Sequence, residues 1–222
     1  MTEPATKKAS ANGRKRVPRA EREEQILSIA ERQFAESGYY AVSMDAIAGE
    51  VGLSKQMVYN YVGSKEELYL TCFRRARFHL ERVVDQGAAQ ATGPQEQLWY
   101  GVLAFFTFIE EHREAWSILN EQASARGGPF AGEVAAARAE IGRLISQLLT
   151  DARAAAGKDT ATANTEITAF TIVGAAEGMA SWWLDHPEIE KEYVVARLMD
   201  VVWMGLDNLL HDHFWDHPVR AD

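Results

Sequence analysis

SMDAIAGEVGLSKQMVYNYVGSK, residues 43–65, is the stretch whose reading decides the fold of this chain. Its apolar residues, Ile47, Val51, Leu53 and Val58, surround the small residues Ala48 and Gly52. That spacing suits two short helices crossing steeply about a tight turn. Ala48 lets the second helix approach closely. Gly52 supplies the backbone freedom, with φ > 0, that ends the first helix and turns the chain. Val51 and Val58 plug the crossing from either side. The product is a helix-turn-helix, and its second helix, about Lys55 to Tyr61, is the one offered to a DNA major groove.

Each helix of the unit has a readable start. Ser43 N-caps the first and Ser54 the second, leaving free N–H groups that suit a phosphate. Ser64-Lys65-Glu66-Glu67 is a capping box opening the next helix. Lys55, Gln56, Asn60 and the two tyrosines face outward on the second helix, where amides and amines suit base edges and phenols and ammonium suit phosphates. The expected DNA-facing set is therefore Ser43, Ser54, Lys55, Gln56, Met57, Tyr59, Asn60, Tyr61 and Lys65. Lys55, Gln56 and Asn60 are assigned to base edges; Ser43, Tyr59, Tyr61 and Lys65 are assigned to phosphates.

Residues 20–70 resemble the N-terminal domain of TetR-family transcriptional regulators. The likeness rests on a first helix running from Ile26 through Phe34 to Tyr39, on the helix-turn-helix, and on Val58-Tyr59-Asn60-Tyr61 followed by Gly63-Ser64-Lys65-Glu66-Glu67-Leu68. Val62 stands where many members carry Phe, a packing difference. Lys55-Gln56-Met57 is bulkier than the small residues often found there, so the resemblance carries no operator sequence across. It implies a helical C-terminal body that dimerises and holds a small-molecule pocket, enclosed by the fifth to eighth helices, controlling the DNA-binding heads.

Composition bounds the rest. At 222 residues and 47 % hydrophobic, the chain can bury one substantial core and a small satellite domain. No apolar run approaches the ~20 residues needed to cross a bilayer, and the polar, basic N-terminus lacks a signal peptide's apolar stretch. The single cysteine, Cys72, excludes an internal disulfide and fits a cytoplasmic, nucleoid-associated protein with no membrane partner. Helix packing is its expected role, with a thiol sensor as the alternative.

The net charge of −9 divides unevenly. Residues 1–80 carry 13 Lys+Arg and 10 Asp+Glu, a net of +3; residues 81–222 carry 10 and 22, a net of −12. A mildly basic head on an acidic body is coherent for a DNA binder, because local charge at the duplex sets affinity. Residues 1–19 hold Lys7, Lys8, Arg14, Lys15, Arg16 and Arg19 against Glu3 alone. Their composition predicts a disordered basic tail. Two roles fit it: a solubilising tail, or an arm reaching backbone or minor groove.

The whole chain reads as helix after helix, with no alternating β pattern. Helices are expected at 20–37, 44–51, 55–61, 65–87, 94–111, 113–124, 129–156, 161–184 and 188–212. Gly93-Pro94, Gly127-Gly128-Pro129, Gly157 and His186-Pro187 punctuate them. The fold class is all-α: a three-helix DNA-binding domain (20–67) joined to an effector-binding and dimerisation domain (68–212), with tails at 1–19 and 213–222. On the last helix Val195, Leu198, Val202, Gly205 and Leu209 form one apolar stripe, and Met199, Trp203, Leu206 and Leu210 a second. Two stripes imply burial on two sides. On the preceding helix Gly174 and Gly178 allow close helix approach. The expected homodimer interface is Gly174, Gly178, Val195, Leu198, Val202 and Leu209, bringing two heads to a palindromic double-stranded operator.

Between head and interface lies an aromatic-rich middle, and rings with a few polar groups are the usual form of a small-molecule site. The expected effector-lining residues are Phe106, Trp116, Asn120, Phe170 and Glu177, with Arg143 as a partner for a buried Glu177. The favoured effector is hydrophobic and neutral or cationic. Catalytic signatures are missing from the sequence: no Gly-x4-Gly-Lys, His-Glu-x-x-His or Gly-x-Ser-x-Gly spacing occurs. No enzyme, cofactor or metal is expected, the cluster His211-Asp212-His213 with Asp216-His217 being placed at a fraying chain end. The expected function is a ligand-responsive regulator, a repressor released from its operator by a small hydrophobic effector. The alternative is a ligand-independent or architectural DNA-binding protein with a solid core.

Overall fold

The computed structural model describes residues 17–124, 130–155, 157–158 and 165–210. Among them run nine helices: α1 (Arg19–Ala41), α2 (Met44–Val51), α3 (Lys55–Val62), α4 (Lys65–Ala88), α5 (Pro94–Glu111), α6 (Arg113–Ser124), α7 (Ala131–Ala155), α8 (Thr165–Leu184) and α9 (Lys191–Leu210). The described residues contain no strand. Residues 1–16, the helix ends expected at 129, 156, 161 and 211–212, and the C-terminal histidine cluster lie outside them.

Where the described boundaries differ from expectation, the cause is local. Gly38 breaks α1 with φ 75° and ψ 164°, next to the expected end at residue 37, and a last turn resumes to Ala41. The final helix starts at Lys191 rather than 188 because residues 185–190 close on themselves. Ile189 N–H donates to the His186 carbonyl at 3.1 Å, and Trp183 Nε1 donates to the Ile189 carbonyl at 2.8 Å. Pro94 opens α5 at its first turn, where a missing N–H costs nothing.

Two cores organise the packing. The first gathers Ile26, Ala30 and Phe34 of α1, Ile47 and Ala48 of α2, Val58 of α3, and Leu68, Tyr69, Cys72 and Phe73 of α4. It does not stop at the head, because Ile118, Phe130, Val134 and Ala137 belong to the same cluster. Tyr69 stacks on Phe130 at 4.7 Å, meets Phe34 edge-on at 5.0 Å, and donates its hydroxyl to the Ile118 carbonyl at 3.3 Å. Phe130 is thus part of the core beneath the head. Ser117 Oγ adds a hydrogen bond of 3.1 Å to the Ala35 carbonyl. The boundary expected at residue 67 is crossed by continuous packing, so α6 and the start of α7 lie directly against the head.

The second core holds the body: Leu80, Val102, Phe106, Phe108, Ile109, Trp116, Ala180, Trp183, Val194, Val195, Leu198 and Met199. The helix α4 runs through both cores. Its far end approaches α5 closely at Gly87: a Cβ there would stand 2.7 Å from Ala104 Cβ and 2.8 Å from the Tyr100 carbonyl oxygen. Replacing an interior helical glycine by alanine ordinarily gains about 1 kcal/mol of helix propensity. Overpacking against a backbone atom reverses that sign. Gly87→Ala should destabilise the protein by about 1–3 kcal/mol in urea unfolding, and a stabilised variant would refute this contact.

Candidate nucleic-acid interface

The helix-turn-helix forms as its residues dictate. Ser43 Oγ accepts from Ala46 N–H at 3.1 Å and Ser54 Oγ from Met57 N–H at 3.3 Å, so each serine caps its helix. Gly52 sits in the left-handed region at φ 73° and ψ 35°, and Leu53 N–H closes the turn on the Ala48 carbonyl at 3.0 Å. A side chain other than glycine is strained at that φ. The Ser64–Glu67 capping box is complete: Glu67 N–H donates to Ser64 Oγ at 3.0 Å, and Ser64 N–H to Glu67 Oε2 at 2.7 Å. Val58 is wholly buried beneath α3, which sets the rotation of that helix.

With Val58 inward, Lys55, Gln56, Met57 and Asn60 are exposed on one outward face. The Gln56 amide nitrogen donates to Asn60 Oδ1 at 3.3 Å, one turn apart, which holds the two amides side by side. Lys55 Nζ pairs with Asp45 at 2.7 Å, and that carboxylate raises the lysine's pKa. Tyr59 and Tyr61 are only half exposed and pack against the head core, so their rings are structural as well as outward-facing.

Lys65 is only half exposed. Its ammonium lies 4.6 Å over the Tyr39 ring and donates to the Tyr40 carbonyl at 3.4 Å; burial lowers its pKa. It ties the end of α1 to the start of α4. Arg19, which the expected set omitted, lies at this surface. Its guanidinium is 5.3 Å from the Tyr61 ring and donates to the Asn60 carbonyl at 3.4 Å. The sequence reading counted it within the basic tail at 1–19, whereas Arg19 is the first residue of α1.

The five expected effector residues are only partly brought together, Phe106 and Trp116 sharing one core. Phe106 and Trp116 are buried in the second core, Phe106 against Trp183 at 5.5 Å and Trp116 against Phe105 at 5.4 Å. Phe170 instead lies over Gly142 between α7 and α8, with 43 % of its surface exposed. Glu177 is held by Arg138, whose Nε donates to it at 3.2 Å. The partner suggested by sequence, Arg143, pairs with Glu140 one turn away. Asn120 is half-buried and partnered. Trp116 Nε1, however, is buried with no acceptor among the described residues. Cys72 is fully buried within the head core, and desolvation pushes its thiol above the usual range.

The interface residues divide in the same way. Val195 and Leu198 are fully or nearly buried in their own chain's core, and Val202 packs half-buried against it. Gly174 and Gly178 are exposed, with open space where a Cβ would point. Leu209 lies in α9, its side chain outside the described residues. The outward apolar face is made instead by Ile167, Phe170 and Trp182 on α8 and by Val201 and Met204 on α9, the last two 74 % and 65 % exposed.

Comparison with known proteins agrees with this geometry. Residues 26–72 match the model described as bacterial regulatory proteins, tetR family, and residues 94–205 match tetracyclin repressor-like, C-terminal domain. A TetR-like transcriptional regulator of known structure from Rhodococcus sp. RHA1 is 33 % identical, with a TM-score of 0.71 over 86 % of this chain and 99 % of that one. The HTH-type transcriptional activator FasR of Mycolicibacterium smegmatis is 29 % identical over 87 % of each chain. The fatty acid degradation regulator FadR of Bacillus halodurans, 18 % identical over 94 % of this chain and all of that one, shares the fold with a TM-score of 0.67. A capped helix pair around Gly52, a polar face on α3 and matches over both halves of the chain lead to one conclusion: it belongs to the TetR family of transcriptional regulators, which bind DNA.

Proposed function

We propose that two copies of the chain bind a palindromic operator through α3 as a repressor, and that a small hydrophobic effector releases them. The observation that carries this reading is the pairing of two surfaces. Lys55, Gln56 and Asn60 stand on one exposed face of α3, and an exposed apolar face on α8 and α9 stands outside the body's own core. The first has the chemistry of base edges. The second has the chemistry of a four-helix interface, where the open Gly174 and Gly178 permit close approach.

The effector reading is supported by Trp116. A buried N–H without an acceptor costs roughly 1–3 kcal/mol, which a ligand accepting that hydrogen bond would recover. The site is therefore centred on Trp116 and takes an apolar molecule bearing a hydrogen-bond acceptor. Phe170, on the outer face, is left out of it. Switching needs little energy, since a tenfold loss of operator affinity takes only about 1.4 kcal/mol of differential binding.

Three outcomes test this reading, using a duplex selected by the protein from a random pool. In a fluorescence-anisotropy titration, Asn60→Ala should lose about 1–3 kcal/mol at one base position and relax preference there; unchanged affinity and preference would exclude α3 as the reading face. In sedimentation, Val201→Arg should give a folded monomer with weakened operator binding. Leu198→Arg should instead unfold the chain, because it buries an unpaired charge worth several kcal/mol; a folded monomeric Leu198→Arg would reverse the two faces. Trp116→Phe should keep operator binding and apo stability within about 1 kcal/mol, the lost volume offsetting the relieved N–H, yet abolish release in a screen of hydrophobic compounds. Normal release from that variant would move the site elsewhere.

A further inference from the structure

The described part of the head has no positive surplus. Residues 17–80 contain eight Lys and Arg against nine Asp and Glu. Several cations near the helix-turn-helix are engaged elsewhere: Lys55 with Asp45, Arg32 with Glu50, and Lys65 with Tyr39 and Tyr40. Binding to duplex DNA draws much of its free energy from cations that displace condensed counterions at phosphates. A cation at the rim of the reading face, with donors to spare, therefore matters more than its single charge suggests.

Arg19 is such a cation. It opens α1, yet its Nη2 reaches across to donate to the Asn60 carbonyl of α3 at 3.4 Å. Its guanidinium lies 5.3 Å from the Tyr61 ring centroid, and its Nε donates to Glu23 Oε1 at 2.6 Å. The Asn60 carbonyl belongs to the last turn of α3, where carbonyls lack partners within the helix and a cation suits the dipole. Capping one carbonyl takes one donor. A guanidinium has five, and its planar fork matches a phosphate with two parallel bonds. The side chain also stays 68 % exposed.

The surroundings of Arg19 place it beside the base-reading residues. With Val17, Pro18, Met57, Asn60 and Tyr61 it lines an open cleft of about 500 Å³. Met57 and Asn60 are exposed on the face of α3 that also carries Gln56, so the cleft opens onto that face. A strand whose bases meet Asn60 carries its own phosphates to the edge of the same surface. We propose that Arg19 is a phosphate-binding residue of the operator interface, held by the Asn60 carbonyl and the Tyr61 ring against the backbone flanking the bases that α3 reads. It sets the strength and salt dependence of binding and leaves base preference to α3. This rests on the α3 reading above.

The test compares the full chain with Arg19→Gln on the same pool-selected duplex across a salt series. Loss of one phosphate contact flattens the slope of log affinity against log salt by about 0.9 for each copy bound. Between 50 and 200 mM salt the full chain then loses about 3.5-fold more affinity per copy than the variant. Base preference at the position read by Asn60 should be unchanged. Arg22 is the control, a neighbouring cation of α1 that bonds Gln25 and not α3; Arg22→Gln should leave the slope near that of the full chain. Ethylation of single phosphates should reveal one flanking phosphate whose modification weakens the full chain and not Arg19→Gln. An unchanged slope, with lower stability in urea, assigns Arg19 to capping α3 alone and overturns the proposal while leaving the α3 reading in place. Equal flattening by Arg22→Gln overturns it as well, as does the absence of such a phosphate. Failure of the full chain to select any duplex overturns both readings.

Discussion

The arrangement depends on the burial of Tyr69. This residue of α4 is fully enclosed, and its ring contacts Phe34 and Tyr39 of the head on one side and Phe130 on the other. A buried tyrosine needs a partner for its hydroxyl, and the Ile118 carbonyl of α6 accepts from it. One side chain thereby joins α1, α4, α6 and the start of α7. A change in how α6 packs is felt directly at the head. On the proposed function, this gives the effector site at Trp116, also on α6, a physical route to the α3 face without a long chain of intermediates.

Charge on the outer surface of the head is arranged for restraint. Arg75 on α4 makes two hydrogen bonds to Glu24 of α1, at 2.7 and 2.9 Å, and that guanidinium holds the Glu24 carboxyl below its usual range. Neighbouring Glu31 is pushed the other way by burial. Pairs this exposed contribute little stability. Their effect is to leave few unpaired cations on the folded head, which lowers attraction to DNA of any sequence. On the proposed function, base contacts from Gln56 and Asn60 then account for a larger share of the discrimination.

Much of the fold was legible in residues 43–65. The two serine caps, Gly52 and the buried Val58 act within a few positions of one another, and local geometry follows from local sequence. The same holds for Pro94, which opens α5. The interface and effector residues were harder to read. The final helix shows two apolar stripes, and helical periodicity states which residues share a face without stating which way it points. Val195 and Leu198 turned inward, while Val201 and Met204, which a purely hydrophobic pattern ranks no differently, turned outward.

The sequence by itself determined the helices, their caps and the chemistry of the reading helix, because those depend on hydrogen bonds and side-chain spacing within about one turn. It also determined that positive charge is concentrated in the first 16 residues. Tertiary structure alone decided the pairings between distant positions: Glu177 with Arg138 rather than Arg143, Lys65 with the Tyr39 ring, Phe130 with Tyr69, and Trp116 Nε1 with no acceptor among the described residues. Each depends on which helices are neighbours and how they are rotated. That is set by the total burial of both cores, a property of the whole chain that no single stretch carries.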